Sequence, residues 1–347
     1  MTRQLLIAVS LLLSSGSCLA IDIAPLGPRV WAATQPTERI FNDCNSLIVE
    51  ADGFVIVVDA QESADDTAQI MAFAQDSIGK PVRYLINTHW HSDHTQGNTR
   101  YRDAYGDALI IVGHTTHPED IFDRAARDLS DRVARTREAL PGAREQLQTG
   151  LKQDGNKFTP EELAAQTARV ERAEAWVAAN ASVTFTGPSK LVSEPWSVEA
   201  GEASFTVLPM RGHTRGDLVV QFTGLDVVAT GDLLDAMPYA GHGFPKQWQE
   251  ALESIRELDA RAYLPGHGAV QRDTALIDRL IAYFDDLTGQ VAKLRDAGKT
   301  EAEILEAIDL SASRDMLAGD DPAAQRFFDA VQGEAVERAL LELEVSP

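Results

Sequence analysis

The sequence predicts a mixed α/β protein with a helical segment inserted between its strands and a helical C-terminal extension. Three observations carry that expectation. Short runs rich in β-branched residues, bounded by Asp, Asn and Gly, recur through the N-terminal and central parts of the chain. Stretches of helical periodicity alternate with them and take over toward the C-terminus. Four polar motifs each follow an apolar run directly, where the strands of a parallel or mixed sheet gather their ends at one edge.

After a proline-rich start, "RVWAAT", "NSLIVEAD" and "GFVIVVDA" read as strands, with turns at 43–45 and at Asp52-Gly53. "SADDTAQIMAFAQDSIG" is a helix stopped by Gly79, and "VRYLINTH" and "DALIIVGH" are further strands. From 118 to 180 the chain turns charged and alanine-rich. Pro118 suits a first helical turn, "PEDIFDRAARDLSDRVARTREAL" continues it, and after a break Thr159 and Glu162 open a second helix at capping-box spacing. This helical hairpin reads either as a solvated or dimer-forming face or as a lid. Strand signals resume in "SVTFTGPSKLVSE", "WSVEAGEASFTVLPMRGH", "DLVVQFTG" and "DVVATGDLL". A helix from about Lys246 to Asp259 and the strand "AYLPGHG" follow, and 271–347 is helical, with a second capping box at Thr300 and Glu303. Residues 21–347 thus read as one domain with an insertion.

The first twenty residues stand apart. "MTRQLLIAVSLLLSSGSCLA" has a basic Arg3, an apolar run from Leu5 to Leu13 and small residues up to Ala20, the three-part pattern of a cleaved secretory leader. The run is far short of the ~20 residues that span a bilayer. The expectation is an exported, periplasmic or secreted protein, with lipidation at Cys18 the alternative. Without Cys18 the chain keeps Cys44 alone, so neither an intramolecular disulfide nor a multi-cysteine zinc ribbon can form. A formal net charge of -22 argues against nucleic acid and against an anionic membrane surface as partners. A small molecule, even an anionic one, remains compatible, because a local cation reverses the sign inside a cleft.

The four motifs are "THWHSDH" (88–94), "GHT" (212–214), "TGDLL" (230–234) and "PGHG" (265–268). Brought to one edge, they collect His89, His91, His94, His213 and His267 with Asp93 and Asp232, five of the chain's eight histidines and two carboxylates. That donor set suits two zinc ions that each keep a position for water, while calcium and magnesium prefer all-oxygen ligands; iron is the alternative metal. In an extended segment His89 and His91 point to the same side, and the turn after them redirects Asp93 and His94. Gly212, Gly231, Gly266 and Gly268 let the backbone come close beside the ligands. Burying three imidazoles beside a carboxylate with no cation would gain little.

His-x-His-x-Asp-His at a strand end, followed in order by GHT, GD and GH, resembles the metallo-β-lactamase superfamily, from about Val30 to Leu294. The resemblance implies a four-layer αββα sandwich with metals at one edge. It implies that His89, His91 and His213 hold a first metal, that Asp93, His94 and His267 hold a second, and that Asp232 bridges them. Subclass B1 β-lactamases carry Cys at the position of Asp232 and a substrate-binding Lys at that of Asp235, so an efficient β-lactamase is not the expectation. The bridging Asp is the pattern of glyoxalase II, lactonases and alkylsulfatases, although no basic cluster like the glutathione site of glyoxalase II is evident. His91 separates the chain from oxygen-reducing di-iron members, which carry Glu there.

The implied reaction is hydrolysis of an ester, thioester, lactone or amide by a metal-bridging hydroxide, with Asp93 orienting the nucleophile and shuttling its proton. Trp90, Tyr239, His242 and Phe244 are candidate substrate contacts, each equally explained by packing. His114 and His117 read as turn and capping residues. Two other functions compete: a mononuclear iron persulfide dioxygenase using His89, His213 and Asp232, and a non-catalytic metal-binding or quinoprotein accessory protein. The oligomeric state is left open.

Overall fold

Alternation along two adjacent strands sets up the layers. In β3 (Ser46–Glu50), Leu47 and Val49 face one way and Ile48 the other; in β4 (Val55–Val58), Ile56 and Val58 oppose Val55 and Val57. All are buried, so each face of the sheet must be covered. The computed structural model describes residues 21–36 and 43–345. The leader read in residues 1–20, Cys18 included, lies outside the described residues.

Sheet one contains, in spatial and chain order, β1 (Asp22–Gly27), β2 (Val30–Thr34), β3, β4, β5 (Val82–Ile86), β6 (Ile110–His114) and β7 (Lys190–Val192). It is antiparallel from β1 to β4 and parallel from β4 to β7. Sheet two runs in the order β12 (Ala262–Pro265), β11 (Val227–Gly231), β10 (Asp217–Phe222), β9 (Phe205–Met210) and β8 (Trp196–Val198). Leu47, Val49, Ile56, Ile86 and Val112 of sheet one meet Val207, Leu218, Val220, Phe222 and Val227 of sheet two in a shared core. The outer face of sheet one packs on α1 (Ala64–Ala72) and α3 (Asn98–Tyr105) through Ile70 and Tyr101. That of sheet two packs on α7 (Pro245–Glu257), α8 (Ala275–Asp296) and α11 (Pro322–Val345) through Leu252, Ile255, Leu280, Phe284 and Val336. The result is the αββα sandwich.

Between β6 and β7 lie α4 (His117–Asp120), a continuing turn over 121–125, α5 (Ala126–Thr149) and α6 (Pro160–Asn180). They have a small apolar core of their own around Leu129, Val133, Leu140, Val170 and Val177. Both capping boxes form, at Thr159 with Glu162 and at Thr300 with Glu303, the second opening α9 (Glu301–Ala307) ahead of α10 (Ser311–Ala318).

Four local differences from the sequence reading have physical reasons. The proline-rich start is strand β1, because an edge strand tolerates Pro25. α5 runs through Pro141 to Gly150, whose φ of 67° ends it. Residues 98–105 form α3 where only a tight exit was expected. Of "SVTFTGPSKLVSE" only Lys190–Val192 pairs as a strand: the carbonyls of Thr184 and Thr186 instead accept from the side chains of Thr99 and Asn98.

Short polar clasps lock the sheets together at one edge. Asn45 donates from its backbone to Gly266 O (2.6 Å) and from its amide to Pro265 O (3.0 Å) and Gly268 O (2.9 Å). Leu218 N donates to Thr88 O (2.7 Å). His117 is the third clasp: its Nδ1 accepts from His114 N (3.1 Å) and its Nε2 donates to Gly216 O (2.6 Å). Both ring nitrogens are thus used by the neutral tautomer, and burial lowers the imidazole to about 3. In the window from pH 6.5 down to about 3 the unfolded chain takes up a proton that folded His117 refuses. This residue therefore removes stability as pH falls, by about 1.4 kcal/mol per pH unit. Replacing it, His117→Asn, should cost about 1–3 kcal/mol at pH 7 and flatten the acid side of a denaturation-midpoint series between pH 7 and 4. Parallel acid slopes for the two proteins would contradict the assignment.

Candidate metal centre

The clasped edge is where the four motifs arrive. β5 ends at Ile86, and Asn87 closes the loop after it: its amide donates to His94 O (2.8 Å) and to Asn98 Oδ1 (2.9 Å), and Asn98 returns a bond of 2.8 Å. This lets α2 (Ser92–Thr95) turn Asp93 and His94 back toward His89 and His91. His213 sits in the loop between β9 and β10, fixed by Thr214, whose N–H and hydroxyl both donate to buried Asp217. Asp232 follows β11, and His267 follows β12. Gly231 has φ of 54°, and a Cβ at Gly266 would collide with the Asp232 carboxylate, so these two positions require glycine.

All seven residues converge. Ligand atoms of His89, His91, His213 and Asp232 lie within 4.8 Å of one another, as do those of Asp93, His94 and His267. Asp232 faces both groups. Its Oδ2 is 3.6 Å from His89 Nε2 and 3.4 Å from His213 Nε2, while its Oδ1 is 3.2 Å from His94 Nε2. Asp93 Oδ2 lies 3.1 Å from His267 Nε2 and 3.4 Å from His94 Nε2. His89 Nε2, His94 Nε2 and Asp232 Oδ1 are buried, yet among the described residues they make no hydrogen bond. Such inward-facing orphan atoms fit cations at this edge, and imidazole with carboxylate is a zinc donor set.

Partners behind the ligands assign their tautomers. His94 Nδ1 donates to Asp59 Oδ2 (2.9 Å). Asp59 also accepts from Thr88 N and from Thr88 Oγ1 (both 2.8 Å). Having given its proton to Asp59, the Thr88 hydroxyl accepts from His89 Nδ1 (3.2 Å). His91 Nε2 pairs with His242 Nδ1 (2.9 Å), and His91 Nδ1 turns inward, 3.1 Å from His213 Nε2. His89, His91 and His94 thus each present a chosen nitrogen to the centre.

The electrostatics follow from burial. Desolvation holds His89 and His91 well below the usual imidazole range and lowers His213 to about 4, keeping all three neutral. Burial also opposes charge on His94 and His267, but surrounding acidic groups, Asp93 and Asp232 among them, outweigh it and raise both well above. Those imidazoles in turn hold Asp93 and Asp232 well below the carboxylate range, against their desolvation. Burial pushes the Cys44 thiol, beside Asp59 and His94, up to about 12, which keeps it protonated.

Other expectations fare differently. Trp90 is 2% exposed and packs with Ile121, Ala125 and Phe185. Tyr239 and Phe244 are half-buried; Tyr239 bonds Glu334 of α11, and burial followed by that carboxylate raises its phenol. His242 braces His91, a role that its position in a loop gave no sign of. Three contributors went unrecognised in the sequence. Asp59 is the carboxylate behind His94. Asp235, buried and raised by burial to about 7, lies within 4.8 Å of Asp232 and His267 by its ligand atom. Glu62 ties the inserted helices to the motif: Arg132 of α5 reaches both its oxygens (3.0 and 3.1 Å), Trp176 of α6 donates to it (3.2 Å), and so does Ser92 (3.1 Å). Only a local acidic residue next to β-branched runs could have flagged Asp59 or Glu62, and that signal is common.

Comparison with known proteins gives a family and a fold. Residues 39–267 match the family model described as metallo-beta-lactamase superfamily. A curated relative, acyl-coenzyme A thioesterase MBLAC2 of Gallus gallus, is 30% identical over 100 residues, covering 26% of this chain. The chain spans about a third (36%) of that relative's length. Among solved structures, the metallo-beta-lactamase FIM-1 from Pseudomonas aeruginosa in the mono-zinc form superposes with a TM-score of 0.52 at 16% identity, covering 77% of this chain and 96% of that one. A metallo beta lactamase from Hirschia baltica gives 0.51 at 17%, covering 76% and 97%. At such identities the structural likeness shows the fold alone.

Asp59→Asn removes the negative charge behind His94 and one of the two oxygens that accept from His94 Nδ1 and Thr88, while preserving volume. It should weaken zinc retention by roughly 10–100-fold, measured by competition with a chromophoric chelator. Unchanged retention would mean that Asp59 supports only the fold.

Proposed function

The chain belongs to the metallo-beta-lactamase superfamily, and from that premise we propose that it is an exported binuclear zinc hydrolase of an ester, thioester, lactone or amide. The observation that carries this reading is Asp232, one carboxylate facing His89 and His213 on one side and His94 on the other. His89, His91 and His213 would hold one ion, Asp93, His94 and His267 the second, and Asp232 would be shared. Bound there, the pair would supply an acidified water and Lewis-acid polarisation of a carbonyl.

The chain's own residues do the rest. Asp93 is the most exposed of the two acids, its side chain 22% accessible against 7% for Asp232. Lying 3.1 Å from His267 and 3.4 Å from His94 and more open than Asp232, it is the carboxylate placed to pass a proton between the mouth of the site and a leaving group. Asp59, Thr88 and His242 fix the ligand tautomers, so the imidazoles need no reorganisation when charge develops. Trp90, Ile121 and Ala125 close an apolar wall behind His91 and limit water there.

Asp232 and Asp235 stand where efficient β-lactamases of the first subclass carry Cys and Lys, which places β-lactams low among the substrates. The thioesterase among the relatives supports an acyl substrate. Export rests on the leader-like pattern of residues 1–20. Among the described residues no helix is long and apolar enough to cross a membrane.

Asp93→Asn should lower kcat on a panel of activated esters, thioesters and lactones by about 10²–10⁴-fold while the protein stays folded by circular dichroism. Full activity in that variant would overturn the role given to Asp93.

A further inference from the structure

In a chain with formal net charge -22, three arginines converge beside the candidate centre. Arg211 ends the segment leading to His213, and its guanidinium carbon lies 3.7 Å from the centroid of the Phe244 ring. Arg338 of α11 stacks on the same ring at 4.7 Å and donates from Nε to Gly243 O (2.7 Å). Phe244 is pinned there, since its N–H donates to Gly212 O (2.7 Å), the residue before His213. Arg124, from the insertion, lies 5.9 Å from the ring of Trp90, which in turn lies 5.1 Å from the ring of His242.

Local acids are largely committed elsewhere. Glu334 takes the Tyr239 hydroxyl, and Glu342 accepts from Lys246 N and Gln247 N at the start of α7. Asp120 pairs with Arg124 (3.1 Å) but also with Arg215 through two contacts of 2.8 and 2.9 Å. Asp128 is a further carboxylate, close enough to act on His242. Among the described residues Arg211 makes no hydrogen bond or ion pair, and neither terminal nitrogen of Arg338 donates one. Burial, and then Arg211 and Arg124 against the pull of Glu342, lower Arg338 from its ordinary value, so these cations sense one another.

Unpaired guanidiniums held this close by an aromatic ring are a receptor for planar or tetrahedral oxyanions. We propose that Arg211 and Arg338, with Arg124 beside Trp90, form an anion subsite, and that the substrate is an acyl compound carrying a carboxylate or phosphate away from its scissile carbonyl. Its donors come from three separate segments: the helices between β6 and β7, the loop after β9 and the last helix. The substrate class rests on the hydrolase reading; the anion site itself does not.

Two matched pairs test it on the purified, metal-loaded protein. Mono-p-nitrophenyl glutarate against its methyl ester places the charge on the acyl side. The acetyl thioester of 3-mercaptopropionate against its methyl ester places it on the leaving group. In at least one pair kcat/KM should favour the anion about 10-fold or more, and Arg211→Gln or Arg338→Gln should collapse that ratio toward 1. A disturbed loop would lower both members alike and leave the ratio intact. Calorimetry with butanesulfonate, a poor zinc ligand, reads the site without turnover: binding should weaken about 10-fold or more in each variant. If no ester is hydrolysed but butanesulfonate binding depends on these arginines, the hydrolase reading falls and the anion site stands. Hydrolysis with no charge preference, or binding indifferent to both substitutions, would overturn the subsite.

Discussion

The Asp232 carboxylate is buried among four imidazoles, with fewer hydrogen bonds than its burial demands. It stands against His89, His94, His213 and His267 at 3.2–3.6 Å, its Oδ1 unbonded among the described residues. A carboxylate so placed is costly unless positive charge reaches it. The acids around His94 and His267 raise both imidazoles well above their usual range; with ions, the same rings would serve as ligands. Much of the edge follows from this need. Gly266 gives Asp232 room and Gly231 gives Thr88 room, Asp59 and Thr88 orient the rings facing Asp232, and Asn45 and His117 clasp the two sheets where the charges meet.

Repeating local physics made much of the architecture legible in the sequence. Alternation in "NSLIVEAD" and "GFVIVVDA" fixes which side chains enter the sandwich core, and Thr159 with Glu162 marks a helix start that forms as read. The seven convergent residues were legible because each motif follows a strand directly. What escaped is what depends on neighbours distant in sequence. His242 is 151 residues from His91, and nothing local distinguishes a bracing imidazole from an ordinary loop histidine. Glu62 gains its meaning from Arg132 and Trp176. The basic cluster could not be seen as a run, since Arg124, Arg211 and Arg338 come from three separate segments.

That dispersal also locates where this chain can differ from its relatives. The insertion between β6 and β7 is anchored through Glu62 to Ser92, next to Asp93, and Gln96 adds a bond of 2.7 Å to Asn180 at the end of α6. The last helix sets the loop after Asp232 through Glu334, Arg338 and Glu342. Both segments reach the edge, while the seven inner residues sit at the ends of the strands and in the loops that follow them.

The central claim is that this edge is built for two cations sharing Asp232. The most direct measurement is a crystal structure of the purified protein with anomalous data at the zinc edge, together with elemental analysis. The account predicts close to two zinc ions per chain, one among His89, His91 and His213, the other among Asp93, His94 and His267, both in contact with Asp232. A single iron held by His89, His213 and Asp232, or no metal at all, would contradict it.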